Sequence, residues 1–165
     1  MEKVKHSLTH RQRQALETQR LIVAAARDLF LEQGYGATTI DAISARAGVA
    51  VSTVYTIYKN KRGILKAIRE AWHEESGQRD IYRQAMQATE AQHRFALFAH
   101  ATRRQWETSA AMIAVYTSAA AVDAEAAAEL DTALNGRRTG ITQHIQQSAH
   151  LLRPGLSVER AAAIC

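Results

Sequence analysis

From about Gln14 to Gln33 apolar residues recur at helical spacing. Leu21, Ile22, Ala25, Ala26, Leu29 and Phe30 form one stripe of a helix directed at a core. Gly34, with Gly36 close behind, ends that helix, because glycine enters the left-handed region without steric cost. The next stretch, ATTIDAISARAGVAVSTVYTIYKNK, breaks into short helices. Thr38 with Asp41 fits a capping box and Thr39 is an equally good N-cap; either opens a helix through Ile40, Ile43 and Ala47, which Gly48 stops. Ser52 or its neighbour opens the next helix, with Val54 and Ile57 or Tyr58 facing inward. Asn60 can then cap a helix running through Ile64, Leu65, Ile68 and Trp72. Isolated helices below about 12 residues are marginal in water, so these short ones must pack on the first.

Beyond Glu74 the polar segment SGQRD, Ser76 to Asp80, reads as a junction or a frayed helix end. A helix is expected from about Thr89 to Glu107, with Phe95, Leu97, Phe98, Ala101 and Trp106 apolar. A second, from Ala110 to Val122, is apolar nearly all round and reads as a buried central helix. Asp123, with Glu125 in the first turn, starts a third that runs to about Leu151, weakened by Gly136 and Gly140. Pro154 and Gly155 make a turn, and Ser157 caps a helix that has barely begun at the end of the sequence. The final AAAIC is a helix interior without a C-cap, so the expectation is a fragment of a longer protein.

Composition sharpens this picture. Many alanines, Pro154 as the only proline and scattered β-branched runs place the chain in the all-α class. No apolar run approaches the roughly 18 residues of a membrane span, and MEKVKHSLTHRQRQ lacks the apolar core of a signal peptide, so a cytoplasmic protein without a membrane partner is expected. Cys165 is the only cysteine, which excludes an intrachain disulfide and a cysteine-based zinc site. Charge divides the chain. Residues 1–69 hold 12 Lys or Arg against 5 Asp or Glu, whereas residues 70–165 hold 9 against 11. A basic N-terminal unit calls for a polyanionic partner, and the remainder does not.

Within the basic unit, two short helices joined at Ala47, Gly48 and Val49 fit a helix-turn-helix. Ile43, Ala47, Val49, Val54 and Ile57 point inward, small Ser44 sits where the helices cross, and glycine makes the turn. These residues carry a resemblance. From Leu21 to Ile68, through AARDLFLEQGYGATTIDAISARAGV, STVY and YKNK followed by Ile64 and Leu65, the chain resembles the DNA-binding domain of TetR-type transcriptional regulators. It departs from the family at Ala50 and Ser52, where a serine and a glycine are common, and at Tyr58, where phenylalanine is usual. Ser52, Thr53 and Thr56 lie on the outward face of VSTVYTIY, where hydroxyls bond base edges or phosphates and threonine methyls touch thymine; Val51 adds an apolar contact. The resemblance implies that Tyr55 bonds a phosphate. Thr39 and Lys61 sit at helix N-termini, which favour anions. Lys59 and the arm residues Lys3, Lys5, Arg11 and Arg13 supply salt-dependent attraction.

For the rest of the chain the resemblance implies a helical regulatory domain that binds a small effector and forms a homodimer. Trp72, Phe95, Phe98, Trp106, Met112 and Tyr116 are candidate walls of an effector pocket, with His100 and His144 as polar anchors; the same aromatics at helical spacing also read as plain core. His93 and His100 lack a carboxylate or cysteine at ligand spacing, so no metal is expected, and no nucleophile, base and orienting acid form a catalytic set. No cofactor is expected either. The expected organisation is a basic flexible arm (1–13), a three-helix helix-turn-helix domain (14–60), a connecting helix (61–76) and an incomplete helical effector and dimerisation domain (77–165). The expected function is a transcriptional regulator, a repressor released from a palindromic operator in double-stranded DNA by an effector. Two alternatives stand beside it: an all-α ligand-binding or interaction module without specific DNA binding, and an effector-independent architectural DNA-binding factor.

Overall fold

The computed structural model describes residues 9–164, and every regular element among them is helical. Lys3 and Lys5 of the expected arm lie outside the described residues. The chain divides into two compact units between Ala71 and Trp72.

In the first unit, α1 (His10–Ala37) is broken at Gly34, whose backbone is left-handed at φ 83°. The helix starts earlier than the apolar stripe alone suggests, so the arm is helical from His10 and Arg11 and Arg13 ride on its first turn. The cause is a reciprocal cap: Thr9 Oγ1 accepts from the Gln12 amide at 3.2 Å and Gln12 Oε1 accepts from the Thr9 amide at 2.8 Å. Ile22, Ala25, Ala26, Leu29 and Phe30 are buried, whereas Leu21 is 46% exposed and falls off the core stripe. Three more helices complete the unit: α2 (Ile40–Ala47), α3 (Val51–Tyr58) and α4 (Lys61–Ser76), the last of which continues past the boundary. They bury Ile40, Ile43, Val54, Ile64, Leu65 and Ile68, each worth about 1.5–3 kcal/mol.

In the second unit, the polar segment after Ser76 is itself helical. Gly77, left-handed at φ 62°, breaks the chain, and α5 (Gln78–Gln87) follows. The two helices expected from Thr89 and from Ala110 are one, α6 (Ala91–Ala120). No glycine or proline interrupts Glu107 to Ala110, so propensity carries the helix through. Its second half is not buried all round: Val115, Tyr116 and Ala119 are buried, and Ala110, Ala111, Ile113 and Ala114 face solvent. Asp123 Oδ1 accepts from the Glu125 and Ala126 amides to open α7 (Ala124–Gln147). A 3-10 turn (Ala149–Leu151) leads to α8 (Val158–Ile164), capped by Ser157. The core of this end of the unit is Phe98, Ile141, Ile145 and Ala161, with Tyr82, Leu152 and Leu156 packed against it. Among the described residues no helix is long and apolar enough to cross a membrane.

Candidate nucleic-acid interface

The turn between α2 and α3 is closed by backbone alone. Gly48 is left-handed at φ 67°, its amide reaches the Ala45 carbonyl at 3.3 Å, and the Val49 amide reaches the Ser44 carbonyl at 3.0 Å. This is the paired closure of a Schellman end, and it redirects the chain within two residues. Ser44 is buried, with its hydroxyl donating to the Asp41 carbonyl at 2.9 Å. Of the two candidate caps, Thr39 is the one used: its Oγ1 accepts from the Ala42 amide at 3.1 Å. Thr38 is buried instead, donating to the Leu29 and Gly34 carbonyls and accepting from Gln33. A Thr39→Ala substitution is expected to cost about 1 kcal/mol of stability in the N-terminal unit, read as an earlier thermal melt.

Opposite the buried Val54, α3 turns Ser52, Tyr55 and Thr56 to solvent, with Val51 and Thr53 half-buried beside them. Tyr55 is 49% exposed. Thr56 donates its proton to the Ser52 carbonyl at 2.8 Å, which leaves its oxygen to act as an acceptor. No side chain caps α3, because Ala50 occupies the N-cap position and has none to offer. The outward row is therefore hydroxyl-bearing and uncharged, with cations only behind it.

Those cations are not equivalent. Lys59 is exposed in the turn after α3, its ammonium donating to the Thr56 carbonyl at 3.1 Å. Lys61 is half-buried and reaches back to the end of α1, donating to the Tyr35 carbonyl at 2.8 Å and the Gly36 carbonyl at 3.3 Å, with the Tyr35 ring 4.5 Å away. Its charge thus answers the carbonyl end of α1 from the first residue of α4. Arg46 is engaged by Glu32 in a fork, with bonds of 2.9 and 2.8 Å that hold the Glu32 carboxyl below its ordinary pKa. The α4 N-terminus is capped by Asn60, whose Oδ1 accepts from the Gly63 amide at 3.0 Å. Tyr58, unlike Tyr55, is half-buried: its hydroxyl donates to the Gln19 carbonyl at 3.4 Å, and burial raises its pKa.

In the second unit the eight residues expected to line a pocket separate. Phe95, Phe98 and His144 come together: the His144 ring stacks on Phe98 at 3.8 Å and meets the Phe95 edge at 5.4 Å. Tyr82 packs edge-on against Phe98 at 5.5 Å. Trp72 is buried with its indole N–H on the Thr108 carbonyl, Tyr116 is buried and Met112 is half-buried. His100 is exposed, and Trp106 is 58% exposed with the Arg137 guanidinium 4.8 Å from its ring. Arg94 escaped the sequence reading. Its guanidinium bonds Ala88, Gln147 and Ser148 close to His144, and a lone arginine in a helical run gives no signal of that placement. Among the described residues no group of His, Cys, Asp and Glu could hold a metal ion.

Comparison with known proteins picks out the same stretch. Residues 22–68 match the sequence pattern of the family described as bacterial regulatory proteins, tetR family. The chain is 42% identical over 48 residues to the uncharacterised HTH-type transcriptional regulator YdeS of Bacillus subtilis, covering 29% of this chain and 24% of that one. It is 41% identical over 58 residues to the transposon Tn10 TetC protein of Escherichia coli, covering 35% of this chain and 29% of that one. The chain thus spans about a quarter of the length of these curated relatives. Across both units the fold is similar to that of the fatty acid degradation regulator FadR from Bacillus halodurans, with a TM-score of 0.67 at 19% identity over 89% of this chain and 77% of that one.

Proposed function

We propose that this chain, whose N-terminal unit belongs to the tetR family of bacterial regulatory proteins, is a sequence-specific DNA-binding transcriptional regulator, a repressor released from its operator by a small effector. The observation that carries the reading is the outward face of α3. Ser52, Tyr55 and Thr56 stand solvent-facing on a short helix whose other side is fixed by Val54, at 0% exposure, and whose entry is fixed by Gly48. Such a helix enters the major groove, where serine and threonine hydroxyls bond base edges. Thr56, its proton committed to Ser52, offers an acceptor and so suits an adenine or cytosine amino group. Val51 and Thr53 flank the same edge. Tyr55, Thr39 and Lys59 are assigned to phosphates, and the uncapped start of α3 adds backbone amides.

The protein acts as a cytoplasmic homodimer on palindromic DNA. Two recognition helices then meet half-sites one helical turn, about 34 Å, apart. Effector bound in the C-terminal unit releases the DNA by favouring a spacing that no longer matches. Footprinting on the DNA upstream of its own gene is expected to show a protected inverted repeat; absence of protection at low salt overturns the reading.

Lysine variants test the division of labour. Lys59→Gln is expected to weaken binding to all sequences and to lower the slope of log affinity against log salt by about 1 per protomer, with the melting temperature unchanged. Lys61→Met removes the ammonium that joins the Tyr35 and Gly36 carbonyls to α4, so it lowers the melting temperature and the affinity together. Salt titrations by fluorescence anisotropy beside thermal melts separate the two.

A further inference from the structure

We infer that Arg94 and His144 form the anion-binding end of the effector site, and that the effector is a small carboxylic acid with an apolar body. The inference rests on the reading of the C-terminal unit as effector-binding, and it names the ligand's chemistry. His144 is 1% exposed, and among the described residues neither ring nitrogen has a hydrogen-bond partner. A neutral imidazole carries one donor and one acceptor, and native interiors rarely leave such groups unmet unless water or a ligand completes them. The ring is held in place all the same, stacked on Phe98 and met edge-on by Phe95.

Beside it stands a guanidinium whose hydrogen bonds, among the described residues, go to uncharged groups. The half-buried Arg94 donates to the Ala88 carbonyl at 3.1 and 2.7 Å, and more loosely, at 3.5 Å, to the Gln147 carbonyl and the Ser148 hydroxyl. Each of these acceptors is uncharged. Burial, and then the Arg94 charge, hold the His144 pKa below its ordinary value, so the imidazole is neutral near pH 7. The field that repels a proton from His144 attracts an anion placed next to it. A carboxylate there accepts the imidazole N–H and is drawn by the Arg94 charge, competing for the loosely held Nη1, since Nε and Nη2 are committed to the Ala88 carbonyl. Phe95, 37% exposed, and the partly buried Tyr82 offer apolar surface for the rest of the molecule.

Calorimetric titration of the full chain with octanoate and phenylacetate, each against its amide, tests the site. The acids are expected to bind at least ten-fold more tightly than the amides. Arg94→Gln and His144→Phe are expected to remove that preference. Because Arg94 also ties the α5–α6 connection, thermal melts accompany each variant; His144→Phe fills the same space without unmet nitrogens and is expected to melt at or above the parent. Equal binding of acid and amide, no binding of either acid, or a His144→Phe protein that still prefers acids overturns the assignment. The broader reading fails separately. If a neutral compound releases the operator complex, and does so equally in His144→Phe, the effector reading stands and this site falls. If acids bind through Arg94 and His144 without altering DNA affinity, the site stands and the effector reading falls.

Discussion

Replacing Gly63 with alanine is expected to lower the melting temperature of the N-terminal unit and to remove most of its DNA affinity. A Cβ built on Gly63 would lie 2.0 Å from the Tyr58 carbonyl oxygen and 3.0 Å from its carbon. The obstacle is backbone, so no side chain can swing aside. Tyr58 is the last residue of the recognition helix α3 and Gly63 lies in the first turn of α4, joined by a turn with little slack. Lys59 takes φ 66° and ψ −43°, and the Asn60 amide bonds the Tyr58 carbonyl at 2.8 Å. That is a γ-turn of the rare, strained hand. Asn60 in turn caps the Gly63 amide at 3.0 Å, so relieving the clash breaks the cap, the turn or both. Overpacking of this kind costs about 1–3 kcal/mol, roughly 4–8 °C of melting temperature per kcal/mol in a domain of this size. The loss of DNA binding exceeds the loss of stability, because the displaced element is the one that enters the groove. Gly136→Ala is the control: nothing lies within 4 Å of its added methyl, and a helical alanine in place of glycine raises stability by roughly 0.5–1 kcal/mol. Calorimetry and anisotropy decide the matter; a Gly63→Ala protein that melts and binds like the parent sinks the argument.

Gly34 and Gly48 were legible in the sequence because the left-handed backbone they adopt is open to few other residues. The buried side of α1 was legible for a similar reason, since helical periodicity is a local property. Where two local solutions were equal, as at Thr38 and Thr39, the choice was made by packing: the Thr38 hydroxyl is drawn inward to the Leu29 carbonyl, nine residues back, and Thr39 is left to cap. Helix α5 was hidden because its polar residues outnumber its apolar ones, so it read as a junction. The alanine-rich half of α6 misled in the opposite direction. Alanine favours a helix without specifying burial, so an apolar run predicts a helix there and says little about which face is covered. In the candidate site, Ser52 and Thr56 were legible on the outward face of α3, but Thr53, expected beside them, is half-buried, and the place of Tyr55 came from the family resemblance and not from spacing. The bond from Lys61 to Tyr35, 26 residues upstream, was not legible, and neither was the meeting of Arg94 with Ser148, 54 residues downstream. Both depend on which helices pack together, and no local pattern encodes that.

Two tyrosines three residues apart give the sharpest test of the recognition helix. Tyr55→Phe is expected to leave the fold unchanged and to weaken operator binding by one to two orders of magnitude at each half-site, whereas Tyr58→Phe is expected to lower stability slightly and leave DNA affinity nearly as it was. Tyr55 is 49% exposed, with its ring on the outward face, so the core does not depend on its hydroxyl. A hydroxyl bonded to a phosphate is a hydrogen bond to a charged group, worth about 1.5–3 kcal/mol when made, and roughly ten-fold in affinity follows from each 1.4 kcal/mol. On a palindrome the loss occurs at both half-sites. The effect is indifferent to base sequence, because phosphates carry none. Tyr58 lies one turn on, about 60° round the helix from Tyr55 and closer to the buried Val54, so it is half-buried where Tyr55 is exposed. Its hydroxyl donates to the Gln19 carbonyl on α1 at 3.4 Å and burial raises its pKa, both signs of a packed residue. Loss of so long a bond costs little, about 0.5 kcal/mol or less. Anisotropy on matched and scrambled operators, with melts alongside, reads both variants. Equal DNA affinity for Tyr55→Phe and the parent would remove Tyr55 from the interface, and a large affinity loss in Tyr58→Phe without a change in melting would rotate the reading face of α3 toward Tyr58.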